Sequence, residues 1–136
     1  MKTQEMLTTH PVKPKMEQRE LIACIEACLA CADACTLCAD ACLSEKNLPA
    51  LTKCIRSNLD CADICQATAK LLARHRDMNV QLLRAQLQTT VLAAGICADQ
   101  CEPHGEMHQH CRICASVCRN CVGSCQRVLS GLPKNA

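Results

Sequence analysis

The sequence predicts an all-α fold: an antiparallel four-helix bundle with a cysteine-lined core. Three observations carry this expectation. The chain has 136 residues, the size of one domain. It contains 16 cysteines and no Phe, Tyr or Trp, so cysteine, alanine and leucine must fill the interior. The cysteines recur in alternating steps of four and three inside runs of helical period, and short breaks separate those runs.

Residues 1–16 contain Pro11 and Pro14 and show no period, which predicts a flexible N-terminal arm ahead of a bundle domain over 17–136. The first helix runs from about Glu17 to Glu45, up to the break Lys46-Asn47-Leu48-Pro49. A second helix is expected from about Pro49, a residue suited to a first helical turn, to His75. Arg76-Asp77-Met78 connects to a third helix, capped by Asn79 and ending near Cys101. Glu102-Pro103-His104-Gly105 breaks the chain again. The last helix is expected from about His104 to Ser130, stopped by Gly131 and Pro133. Short connections between helices of this length give up-down-up-down packing.

The first helix places Cys24, Cys28, Cys31, Cys35, Cys38 and Cys42 on one seam. The last repeats the spacing with Cys111, Cys114, Cys118, Cys121 and Cys125. The second gives Cys54, Cys61 and Cys65, with Asn58 in a slot the pattern would give to cysteine, and the third gives Cys97 and Cys101. Antiparallel topology gathers Cys42, Cys54, Cys101, His104, Met107 and Cys111 at one end. It gathers Leu21, Leu71, Leu72, Leu82, Leu83, Val128 and Leu129 at the other, as a plug. Metal is therefore expected to enter at the first end.

Residues three or four apart on a helix have Cβ atoms about 5–6 Å apart, so two such thiolates can grip one ion in a bent or near-linear arrangement. Soft thiolates select Cu(I), whereas Zn²⁺ asks for four ligands in a tetrahedron. If each ion takes two sulfurs and each sulfur bridges two ions, capacity is on the order of one Cu(I) per cysteine. Charge then cancels, and an apolar interior tolerates no other state of many thiolates. A single cysteine on a seam reads best as a small buried hydrophobe; 16 confined to four seams do not. Disulfides within a continuous helix are awkward. The bacterial iron–sulfur run Cys-x2-Cys-x2-Cys-x3-Cys-Pro is absent. A zinc or cadmium thiolate buffer and a thiol-dependent redox enzyme stand as alternatives. The second would need an exposed cysteine of low pKa.

The N-terminal residues carry no apolar export segment and no twin arginine, and no uninterrupted apolar stretch reaches membrane-spanning length. A cytoplasmic location is expected, where thiols stay reduced. A formal charge of +2 with no basic stripe predicts neither a nucleic-acid nor a membrane partner.

The run Cys24-Ile-Glu-Ala-Cys28-Leu-Ala-Cys31-Ala-Asp-Ala-Cys35-Thr-Leu-Cys38-Ala-Asp-Ala-Cys42 resembles the bacterial four-helix-bundle copper storage proteins, in particular their cytosolic branch. So do Cys61-Ala-Asp-Ile-Cys65, Cys97-Ala-Asp-Gln-Cys101 and the Cys111–Cys125 run, and the likeness spans residues 17–130. The resemblance implies a homotetramer of bundles, each holding many Cu(I) ions in its core and catalysing nothing. It carries the metal role onto all 16 cysteines by seam position.

Three further residues are candidate ligands. His104 lies seven residues before Cys111 and continues its stripe to the mouth; Met107 lies four before Cys111 and offers a thioether. Asn58 reads first as a buried hydrogen-bonding group and second as a ligand. His108 and His110 read first as solvated histidines and second as residues that recruit metal at the rim, and His10 and His75 have no assigned role. Asp33, Asp40, Asp63 and Asp99 fall off the seams, on solvated or salt-bridging faces.

Overall fold

The computed structural model describes residues 2–134; residue 1 of the arm and residues 135–136 of the bundle domain lie outside them. Its α-helices are α1 (Thr3–Thr8), α2 (Gln18–Leu43), α3 (Thr52–Ala73), α4 (Val80–Cys101) and α5 (Gln109–Gly131). The four long helices form a ring in which α2 packs on α3 and α5, and α4 packs on the same two. No strand occurs among the described residues.

Local chemistry sets the helix ends. The Glu17 carboxylate accepts from the backbone N–H of Arg19 and Glu20, both at 3.0 Å, and so caps α2. Asn79 Oδ1 accepts from Leu82 N at 2.9 Å and caps α4, as its side chain predicts. The α3–α4 connection turns through Asp77, whose φ of 54° is left-handed, a conformation aspartate tolerates better than most residues.

Three expectations need correction. Pro49 does not open a long helix: Leu48–Leu51 is a 3₁₀ turn that buries Leu51, and α3 starts at Thr52. Nor does the last helix begin at His104. That residue ends a second 3₁₀ turn, Glu102–His104, and α5 begins five residues later. The turn between them is tight, because a Cβ on Gly105 would lie 3.2 Å from both Arg112 Cβ and Glu102 O. The arm, expected to lack structure, contains α1, and it buries Leu7 and Met16. Leu7 lines a groove together with Ile25 and Leu29 of α2, and Lys15 Nζ donates to Met78 O at 3.1 Å. Tertiary burial holds these residues where local pattern does not.

The plug at the closed end holds Leu21, Leu72, Leu83, Leu87 and Val128 in full burial. Leu82 belongs to the solvent face instead. Thr68 and Thr90 meet across α3 and α4 at 2.7 Å, with Gln86 Nε2 donating to Thr68 Oγ1 at 3.0 Å. Each hydroxyl also lies within hydrogen-bonding distance of a carbonyl one turn back, so this buried polar pair is satisfied. By length and composition α2 would pass as a membrane span, but half of its most apolar 18-residue stretch is buried inside the bundle. Cysteine raises its hydropathy, and the cysteines face the core.

Candidate metal centre

All 16 cysteines are free and buried. Their helical period turns one edge of each helix inward, and four inward edges build a column of sulfur along the bundle axis. At the closed end Cys24, Cys28 and Cys125 form one group, followed by Cys31, Cys65 and Cys121. Above them come Cys31, Cys35, Cys61 and Cys118, then Cys35, Cys97, Cys114 and Cys118. Cys38, Cys42, Cys54 and Cys111 form the group at the far end. Cys101 joins that end through Cys54, 3.0 Å away. The second, third and fourth groups share members, while Cys121–Cys28 at 3.9 Å and Cys97–Cys101 at 4.0 Å link the end groups to them, so the column has no gap.

Contacts within a helix, such as Cys31–Cys35 at 3.9 Å and Cys61–Cys65 at 3.8 Å, are matched by shorter ones between helices. Cys31 lies 3.6 Å from Cys61 and 3.7 Å from Cys118; Cys35 lies 3.7 Å from Cys97. The within-helix pairs foreseen from the spacing are thus only part of the ligand geometry. The cross-helix pairs are legible only once register is known. These separations are far longer than the ~2.05 Å of a disulfide. They fit two sulfurs sharing one ion, since metal–thiolate bonds of about 2.3 Å, as for zinc, span up to about 4.6 Å.

Burial disfavours the thiolate throughout the column, while hydrogen bonds between thiols push neighbours in opposite directions: the bond to Cys125 brings Cys24 down to about 5, and Cys61 is lowered chiefly by Cys118. Burial pushes Cys42 up to about 11 and raises Cys111 as well. Cys35 is held far above the usual thiol range by its hydrogen bonds with Cys114 and Cys118. At such raised thiols metal entry must displace protons, and each monovalent ion replaces one proton without changing the charge of the interior.

Asn58 is fully buried, and its Oδ1 accepts from the Cys97, Cys114 and Cys101 thiols. That makes it the hydrogen-bonding group the sequence suggested. The other two candidates make no hydrogen bond to a thiol among the described residues. His104 sits half-buried in the 3₁₀ turn. Met107 is 73% exposed, and its sulfur accepts from Asn47 Nδ2 at 3.5 Å. Counting seven and four residues back from Cys111 assumed continuous helix, and the Gly105 turn breaks it.

His108 and His110, read first as solvated and second as rim metal recruiters, stand at the column's end. His110 Nδ1 lies 3.5 Å from Cys38 Sγ and 3.6 Å from Cys111 Sγ. Burial works to lower its pKa, but Cys38 and Glu45 outweigh that and raise it. Glu45 is held low chiefly by its bond to His110. His108 is buried and stacks on His110, ring centroids 5.4 Å apart. Of the aspartates, Asp99 does bridge helices: with Glu102 it grips Arg119 of α5, at 2.7 and 2.9 Å.

A helical bundle whose interior is a continuous column of reduced thiols defines a metal-storage protein. The chain belongs to the copper storage protein family, whose model matches residues 17–130. It is similar to the copper storage protein Ccsp from Streptomyces lividans loaded with 10 copper equivalents. The identity is 46%, with 96% of this chain and 99% of that one covered and a TM-score of 0.93. A second structure, of a cytosolic copper storage protein from Streptomyces lividans loaded with five coppers, is 50% identical. It covers 85% and 96% of the two chains at a TM-score of 0.83. The apo form of copper storage protein 3 from Bacillus subtilis is 32% identical, covering 79% and 96% at a TM-score of 0.69. No curated protein matches the chain.

Proposed function

We propose that this protein takes up and stores many Cu(I) ions per chain in the cytosol, and that it turns over no substrate. The observation that carries this reading is the column of 16 buried thiols in overlapping groups. Overlap matters because a sulfur shared between groups can bridge two ions, which Cu(I) in low coordination allows. The same groups offer four-thiol sites of the kind Zn²⁺ uses. Filling neighbouring ones with divalent ions would, however, require the same sulfurs twice and leave the interior charged. The Streptomyces lividans proteins, described as copper-loaded and in one case as cytosolic, support both the cargo and the compartment.

In this reading Cys24, Cys28, Cys31, Cys35, Cys38, Cys42, Cys54, Cys61, Cys65, Cys97, Cys101, Cys111, Cys114, Cys118, Cys121 and Cys125 are the ligands. His110 joins them at the entrance. Ions enter past His110 and Glu45, because the other end is closed by leucine and valine. The bundles assemble as homotetramers. Support comes from an open groove between α3 and α4 that exposes Leu92 and Ile96, apolar surface that self-association would cover. Anaerobic titration of reduced protein with Cu(I), against a competing chelator, tests storage. More than ten tightly held ions per chain are expected, and saturation at one or two would refute the reading.

A further inference from the structure

Glu45 lies two residues beyond the end of α2, in the connection to α3, and is one-third exposed. Its Oε2 stands 2.8 Å from His110 Nε2 and 2.9 Å from His108 Nδ1. A carboxylate only accepts hydrogen bonds, so the ring nitrogens facing it carry hydrogen. In neutral His110 this leaves the lone pair on Nδ1, the atom 3.5 Å from Cys38 Sγ and 3.6 Å from Cys111 Sγ. Sixty-five positions separate Glu45 from His110 in sequence. The pairing exists only because antiparallel packing brings the end of α2 beside the start of α5.

We propose that Glu45 is a positioning residue for copper entry: it locks His110 in the Nε2–H tautomer, so that Nδ1 offers a lone pair to an ion beside Cys38 and Cys111. The proposal rests on the storage reading above. Without the carboxylate, water serves either tautomer. The Nδ1–H form would set a hydrogen, not a lone pair, against the first sulfurs. His108 helps to fix the arrangement. It shares the same Glu45 oxygen, lies nearly parallel to His110 with 20° between the rings, and places Nε2 2.9 Å from Asn47 Oδ1. A carboxylate behind a ligating histidine typically accounts for about 10–100-fold in metal affinity or activity.

The test compares the full-length reduced protein with Glu45→Ala and Glu45→Leu, neither of which can accept from His110. Long-range ¹H–¹⁵N correlation spectra of the apo proteins, recorded over rising pH until the ring nitrogen shifts of His110 show it neutral, read the ring tautomer directly. Stopped-flow mixing with one equivalent of Cu(I) reads the entry rate. The expected result is an Nε2–H His110 in the natural chain, loss of that preference in both variants, and an entry rate lower by about tenfold. A salt bridge that merely pins the connection to α5 would move neither. The proposal is overturned by an Nδ1–H ring in the natural chain. It is equally overturned by an unchanged tautomer in the variants, or by a rate that falls less than about threefold, well short of the usual effect. Total capacity of the natural chain, measured on the same preparation, tests storage itself. A low capacity would sink that reading while the tautomer result still stands on the apo protein.

Discussion

Asn58 Oδ1 lies 3.0 Å from Cys97 Sγ, and the thiols of Cys114 and Cys101 share the same oxygen at 3.4 and 3.5 Å. One amide on α3 therefore gathers sulfur from α4 and α5, while its nitrogen faces Cys54 Sγ at 3.7 Å. Asn58 occupies a position the seam would assign to cysteine. Asn58→Cys should raise capacity by about one ion, by the rule of one bridging thiolate per Cu(I). Asn58→Ala should leave the thiol count alone but cost the apo protein about 1–3 kcal/mol through lost hydrogen bonds and a small cavity. Copper titration and thermal melts check the two. A 17th thiol that adds nothing would contradict a continuous seam.

Cys31 and Cys35 each belong to two of the overlapping sulfur groups and share a third contact through Cys118. Replacing both with alanine should lower capacity by at least about two ions, more than their share as isolated ligands. Replacing Leu59, on the solvent face, should not. Equal capacities in the double variant and the natural chain would show that the middle of the column holds no metal.

The apo protein should be folded. Neutral thiols behave as small hydrophobes, and the sulfurs already pack at van der Waals distance. Circular dichroism of reduced, metal-free protein should show a mostly helical chain. Copper should then raise its melting point steeply, by linkage worth about 4 kcal/mol once free ion exceeds Kd a thousandfold. A mostly coil spectrum without metal would contradict this.

His75 gives the apo protein an acid sensitivity. It is buried, both of its ring nitrogens lack a hydrogen-bond partner among the described residues, and it packs against His10 with ring centroids 4.8 Å apart. Burial lowers its pKa below the ordinary value near 6.5. The unfolded chain therefore binds the proton first. The stability is fully present above a pH of about 6.5 and is lost as pH falls from there through the folded pKa. Melting temperatures of the apo protein should drop between a pH of about 7 and about 5, and His75→Leu should flatten that slope. An identical slope in the variant would place the sensitivity elsewhere.

The bundle was legible because burial and helical period agree in α2 and α5, where every third or fourth residue is both inward and cysteine. Asn79 was legible as a cap because its side chain satisfies a backbone N–H in the first turn. The helical stripe expected to run back to His104 stops at Gln109, because a heptad count measures residues, not path, and the Gly105 turn spends those residues without advancing along α5. His110 ranked below the seam residues because it sits one position off the Cys111 seam, and a period reading sends such a residue to solvent. Its ring partner Glu45 comes from another helix end, 65 positions away, so no local pattern shows the pairing. No pattern within residues 1–16 announces α1, whose existence depends on what Leu7 finds on α2.

The leucine and valine plug has a consequence for the order of traffic. With the single entrance proposed above, the bundle would work as a stack: the cargo deposited last would stand nearest the exit. Whatever settles first beside Cys24 and Cys125 must pass every sulfur above it to leave. Two isotopes of copper supplied one after the other would therefore come back in reverse, the newcomer first, and the oldest ions would form a reserve that short withdrawals never touch.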